Sequence, residues 1–347
     1  MFERISAQER IDFTKNLALM LRSGIVINEA LKTFTDQKTS RFFKGVLQRI
    51  NKDIESGTLA SEAFQKENKV FDTVYISLLR MGESSGTLGE ALDFLALWLE
   101  RDHDLKTDIR QATLYPKLLL SATGLLATGL AVFILPRLVP LFSSLNIELP
   151  LMTRILLAVS IFFRDHWFVV FAGIVGFIIF YILVRRIKKV HYMFDLLSLR
   201  IPFIGSLMVD YQLAMITHVF ATVFHSGMSM IDTMNVTRIA ATNTVYKKAL
   251  DQIKLQVQTG ISLAEALRKY EHLFPKSAIV IISVGERTGK LGDSMEYLSD
   301  FYTKQLRTKT KRLPTVLEPA LLVFVALVVG LVAVSIITPI YELTQGL

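Results

Sequence analysis

No cysteine occurs among the 347 residues. That excludes disulfides, thiolate metal sites, Fe–S clusters and a catalytic thiol. Charge is also scarce: Asp, Glu, Lys and Arg make up 20% of the chain, against about 25% in an average soluble domain. The six histidines show no HExxH or comparable ligand spacing. His218 and His225, seven residues apart, are expected to pack rather than bind metal, and Asp102 and Asp104 are expected on a solvated face. No nucleophile–base constellation is present, so neither an enzyme nor a cofactor is expected. Residues 1–22 are charged throughout and contain no continuous apolar stretch, so no signal peptide is expected there. What fills the chain instead is apolar sequence, 51% by count with a mean hydropathy of +0.42. That is too much for a wholly soluble enzyme or a disordered chain.

The apolar residues are concentrated in three runs, 118–135, 167–184 and 320–337, none with an ionisable side chain. Each is about 27 Å long as a helix, close to the hydrocarbon thickness of a bilayer. Lys and Arg are distributed unevenly around them: 17 in 1–117, 19 in 185–315, three in 136–166 and none in 316–347. The positive-inside rule therefore places both long segments in the cytoplasm and 136–166 with the C-terminal tail outside. The expected organisation is a cytoplasmic module (1–112), a span (113–136), an outer loop (137–166), a second span (167–184) and a basic connector (185–206). A second cytoplasmic module (207–313), a third span (314–338) and a short outer tail (339–347) follow. The net charge of +8 comes from the second module and its connector, beside the membrane. It reads as an orientation signal and attraction to anionic lipid, not as a nucleic-acid site.

The chain repeats itself at an offset of 203 residues without a gap from 11 to 144. Ser23 and Gly24 match Ser226 and Gly227; Gly57, Glu62 and Ala63 match Gly260, Glu265 and Ala266. Gly82, Glu83, Gly86, Leu88 and Gly89 match Gly285, Glu286, Gly289, Leu291 and Gly292, and Pro116 and Pro136 match Pro319 and Pro339. Both copies enter their span from the same side, so the repeat is parallel, unlike the inverted repeats of many transporters. Apolar spacing of three and four residues predicts an all-α fold with six helices per module. Ser23-Gly24 should end the first helix, Asn28 should cap the second, and Gly57 should end the third. A short helix is expected over 61–66, another from Val70 to about Gly82, and Thr87 with Glu90 reads as a capping box for the last.

The stretches MGESSGTLGE at 81–90 and VGERTGKLGD at 284–293 are the most informative. The second is not a phosphate loop: three residues, not four, separate Gly285 from Gly289, and Leu291 stands where a hydroxyl would serve Mg²⁺. The glycines suit a left-handed turn or close helix approach, and Glu83 and Glu286 suit either capping of neighbouring amides or contact with a partner. Glu318, at the start of the third apolar run, suits either snorkelling to headgroups or a polar contact between membrane segments.

With these motifs, the chain resembles the inner-membrane platform proteins of type II secretion and type IV pilus assembly, and a compact pilus member in particular. ELPLMTRILL at 148–157, Ile201-Pro202-Phe203 with Gly205, and Glu318-Pro319 carry the resemblance further. It implies a polytopic protein of the bacterial inner membrane with no enzymatic activity or cofactor of its own. The partners it implies are a hexameric secretion ATPase, pilin or pseudopilin subunits and other inner-membrane assembly proteins. A homo-oligomer is expected, and no nucleic acid. Gly82, Glu83, Gly86, Gly285, Glu286, Gly289 and Glu318 are the residues expected at partner contacts or in the family motif. A small-solute transporter is the rival of another class; it would need polar residues lining a path, and Glu318 alone stands near a membrane edge.

Overall fold

The computed structural model describes residues 5–36, 40–129, 154, 158, 161–162, 166–185, 187–202 and 204–345. Among them there is no strand; every regular element is a helix. The first copy of the repeat is built from α1 (Ala7–Arg22), α2 (Ile27–Asp36), α3 (Arg41–Glu55), α4 (Ala60–Lys66), α5 (Thr73–Ser85) and α6 (Leu88–Ala112). Then come α7 (Leu114–Gly129), α8 (Trp167–Arg185) and α9 (Lys188–Arg200). The second copy is built from α10 (Ile204–His225), α11 (Met230–Ala240), α12 (Thr244–Gln258), α13 (Leu263–Arg268), α14 (Lys276–Thr288) and α15 (Leu291–Gln345). Gly24 and Gly227, Gly57 and Gly260, and Gly86 and Gly289 all have positive φ, in pairs matching to within 2°. The offset of 203 is thus a repeat of backbone conformation as well as of sequence.

Helix starts follow local chemistry. Ser6 caps α1, Ser40 caps α3, and Ser229, Asn243 and Ser262 cap α11, α12 and α13 by accepting from amides of the first turn. Asn28 does not cap α2, which begins one residue earlier; Ala30 N donates to Val26 O, leaving Asn28 inside the first turn. Helix α5 begins at Thr73 and not near Val70, because Asp72 caps it by accepting from Tyr75 N at 3.0 Å. Pro275 occupies the equivalent place before α14 without a side-chain bond; its ring fixes φ at −56° but supplies no acceptor.

Residues Met1–Thr107 and Phe194–Arg307, holding both copies, form one compact unit. The core of the first copy is aromatic: Phe13, Phe34, Phe43, Phe64, Phe71 and Tyr75 are buried with ring centroids 4.6–6.5 Å apart. The second copy has Ile216, Thr237, Tyr246, Leu267, Phe274 and Ala278 at those positions. Its core encloses a cavity of about 30 Å³ lined by five of them.

The other unit comprises Asp108–Met193 and Thr308–Leu347. Within the first apolar run, α7 carries 118–129, and the rest, with most of the outer loop, lies outside the described residues. Helix α8 covers the second run, and α15 carries the third. Two helical stretches among the described residues are long and apolar enough to cross a membrane. Of the most apolar 18 residues in Ile204–His225, 72% are buried, as in a core helix, whereas in Leu291–Gly330 only 11% are.

Candidate functional site: the paired glycine–glutamate turns

Each glycine of the motif has a separate task. Gly86 and Gly289 end α5 and α14 in the left-handed conformation. Beyond them, Thr87 N donates to Gly82 O and Lys290 N to Gly285 O, both at 2.8 Å, closing the turn. Gly82 and Gly285 let two helices touch. A Cβ on Gly82 would stand 2.4 Å from Ala91 Cβ on α6; one on Gly285 would stand 2.7 Å from Ser294 Cβ on α15. Gly89 and Gly292 make room for a side chain arriving from α1 or α10: Arg22 crosses Gly89 to reach Asp93 Oδ2 at 2.5 Å. His225 crosses Gly292 to lie 3.2 Å from Asp293 Oδ1. Residues 285–288 are the last turn of a helix, whose exposed groups are carbonyls, which agrees with the absence of a phosphate loop.

The two glutamates cap helices distant in sequence. Glu83 accepts from Ala60 N at 2.6 Å, Ser61 N at 3.1 Å and Ser61 Oγ at 2.6 Å, holding the N-terminus of α4. Glu286 accepts from Leu263 N at 2.7 Å and Ala264 N at 3.0 Å at the N-terminus of α13. A carboxylate there meets two amides without intrahelical partners and the positive end of the helix dipole. The dependence differs between copies. Leu59 provides no side-chain cap for α4, whereas Ser262 also caps α13 through Glu265 N.

Where the copies meet inside their unit, several polar contacts cross between them. Arg101 on α6 donates to Thr303 Oγ1 at 2.6 Å on α15 and lies 3.5 Å from Asp300 Oδ1. Asp102 accepts from the Tyr211 hydroxyl on α10 and from Lys106 Nζ. Asp102 is therefore buried, contrary to the solvated face expected of it, while Asp104 is exposed. A cleft of about 650 Å³ opens between α5 and α6 on one wall and α10 and α11 on the other. Met81, Gly82, Ser85 and Thr87 face Thr222, Met228 and Asp232 across it. Sequence reasoning missed the Arg101–Thr303 and Asp102–Tyr211 contacts because the partners lie 202 and 109 residues apart, beyond any local pattern.

His218 is half-buried near Arg101 and Asp300. Burial first, and then Arg101, push its imidazole down to about 4, with Asp300 acting weakly the other way. The unfolded chain takes up this proton near pH ~6.5; the folded chain does so only near 4. Stability is therefore expected to fall as pH drops from about 6.5 to about 4. The thermal midpoint of the purified protein measured across that range should show the loss, and His218→Gln should flatten it; an unchanged slope would discount the histidine. His225 lies apart from it beside Asp293, and no metal-binding cluster of His, Asp or Glu occurs among the described residues. Glu318 lies on α15 in the second unit and is exposed, as is its register counterpart Tyr115 on α7.

Known proteins share this arrangement in sequence. The family described as "Type II secretion system (T2SS), protein F" matches residues 13–136 and again 216–339, the same offset of 203. The chain is 30% identical over 335 residues to the type IV pilus assembly protein PilC of Thermus thermophilus, spanning 95% of this chain and 81% of that protein. It is 27% identical over 331 residues to the type IV pilus assembly protein TapC of Aeromonas hydrophila, spanning 95% and 80%. To the type II secretion system protein F of Xanthomonas campestris it is 28% identical over 339 residues, spanning 97% and 83%. With two matches that together cover most of its length, each containing a glycine–glutamate turn, the chain belongs to the type II secretion system protein F family.

Proposed function

We propose that the protein is the inner-membrane platform of type IV pilus assembly, coupling a cytoplasmic secretion ATPase to pilin extraction and polymerisation. The observation that carries this reading is the near full-length similarity to proteins named for pilus assembly, with the whole duplication inside the match. In this reading two six-helix modules, 1–112 and 207–313, lie in the cytoplasm. The spans are 113–136, 167–184 and 314–338, with the outer loop and C-terminal tail in the periplasm. The fold supports a mechanical role: each module's last helix leads toward a span, so displacement of a module by a partner is passed to a membrane segment. The glycine–glutamate turns shape the surface such a partner meets. Gly82, Glu83 and Gly86, with Gly285, Glu286 and Gly289, fix its backbone, and Glu318 supplies a polar contact at the inner edge of the third span. The hexameric ATPase, pilins, other inner-membrane assembly proteins and further copies of the chain are the partners. Similarity to a type II secretion system protein F favours the equivalent secretion platform as the second reading.

A clean deletion with plasmid complementation separates the two. Loss of surface pili with secretion intact is expected; loss of secretion with pili intact would assign the protein to the secretion machine, and neither defect would discard both.

A further inference from the structure

The two copies do not contribute the same faces to their shared unit. In the first, Phe94 and Trp98 on α6 are 8% and 4% exposed, and Met81 and Thr87 form one wall of the cleft against α10 and α11. Their equivalents in the second copy lack such cover: Tyr297 is 59% exposed, Phe301 42% and Val284 46%. With Val280, one turn before Val284, they form an apolar face along α14 and α15, the Tyr297 and Phe301 rings stacked 6.5 Å apart. The complementary surface is used just as unequally. Val223 on α10 is buried, and Thr222, Met228 and Asp232 line the cleft. In the first copy the same surface, at the α1–α2 turn, leaves Leu19, the equivalent of Thr222, 64% exposed.

The contact inside the chain is thus head-to-tail: the motif face of copy one is set against the α10–α11 face of copy two. A head-to-tail contact leaves one motif face and one turn face unused, and the repeat relates these to the two faces already in contact. Charge agrees. Thr87 and Asp232 occupy opposite walls of the cleft, and their equivalents on the unused faces are Lys290 and Glu29, both exposed and of opposite sign.

We propose that the α14–α15 face built on Val280, Val284, Tyr297 and Phe301 is occupied by the α1–α2 turn of a second copy of this chain, bringing Leu19 onto it and Glu29 beside Lys290. The contact repeats the one between the two halves of a single chain. Being heterologous, it propagates and closes as a ring or continues as an array, rather than stopping at a two-fold dimer. The inference rests on the duplication alone and holds whether the machine builds pili or secretes.

The chain's lack of cysteine makes the test direct. Leu19→Cys, Val284→Cys and the double variant are expressed at normal level, and permeabilised cells are treated with a short bismaleimide. The double variant is expected to give a ladder of dimer, trimer and larger species, and each single variant none. Lys290→Glu added to the double variant should weaken the ladder about fivefold, equivalent to about 1 kcal/mol, and Glu29→Lys added to that should restore it. A dimer from Val284→Cys alone would mean that two motif faces meet each other, and would overturn the proposal. So would crosslinking only to a different protein, or no crosslink at normal protein level, which would leave the face to lipid or another partner.

Discussion

Gly82→Ala is expected to destabilise the first module by roughly 2–3 kcal/mol, the range for overpacking a close helix contact. The obstacle is Ala91 Cβ at 2.4 Å, which no rotamer change can remove, with Leu88 Cα and Thr87 O both at 3.2 Å. Helices α5 and α6 would have to separate, loosening the turn that Glu83 and Gly86 close. Gly285→Ala should behave alike, because Ser294 Oγ can turn away but Ser294 Cβ, at 2.7 Å, cannot. Gly289→Ala is the control. Nothing lies within 4 Å of the added methyl group, and only the positive φ of 71° is strained, a cost of about 1–2 kcal/mol. For a unit of this size, 2–3 kcal/mol corresponds to about 4–12 °C in the thermal midpoint. Detergent-purified variants compared by thermal denaturation should rank Gly82→Ala and Gly285→Ala below Gly289→Ala. The opposite order would mean that the turn, and not the helix contact, is the constraint.

The second large effect is at the glutamates, and it should be unequal. Glu83→Ala removes the acceptor for two amides and one hydroxyl at the start of α4, whose own cap residue Leu59 offers nothing. A loss of about 2–3 kcal/mol follows from stranding those donors. Glu286→Ala strands two amides while Ser262 continues to cap Glu265 N, so a smaller loss of about 1–2 kcal/mol is expected. Glutamine at either position keeps one acceptor oxygen and should recover about half of the loss. Hydrogen exchange read separately over 60–64 and 263–267 checks the asymmetry. Equal effects in the two copies would show that the Ser262 cap contributes nothing to α13.

The repeat was legible because its glycine turns are written in local sequence, although the cap expected of Asn28 did not form. Ser23-Gly24 and Gly57 end helices where glycine chemistry demands it, whereas α5, expected to stop at about Gly82, runs on to Ser85 and is capped by Gly86; the family matches begin and end 203 residues apart. The capping role of Glu83 was foreseeable in kind but not in partner, since nothing local ties residue 83 to residues 60 and 61. Boundaries moved where a side chain competes with periodicity, as Asp72 does in delaying α5 to Thr73. The meeting of the copies was not legible at all. Asp102 reads as a surface carboxylate until Tyr211, 109 residues away, covers it. Apolar content also misleads in one place. Ile204–His225 passes for a membrane helix by length and composition, and only its burial among α11 and the other helices of its copy identifies a core element.

The small void in the second copy has a mechanical consequence. Where the first copy interlocks six rings, the second substitutes Ile216, Thr237, Leu267 and Ala278 and leaves about 30 Å³ unfilled. Packed aromatic rings resist compression, whereas side chains bordering a void have room to change rotamer and yield. The core of the second half, which also carries the 55-residue helix α15, is therefore expected to repack more readily than that of the first, and methyl-bearing side chains around the void should show the greater rotamer exchange.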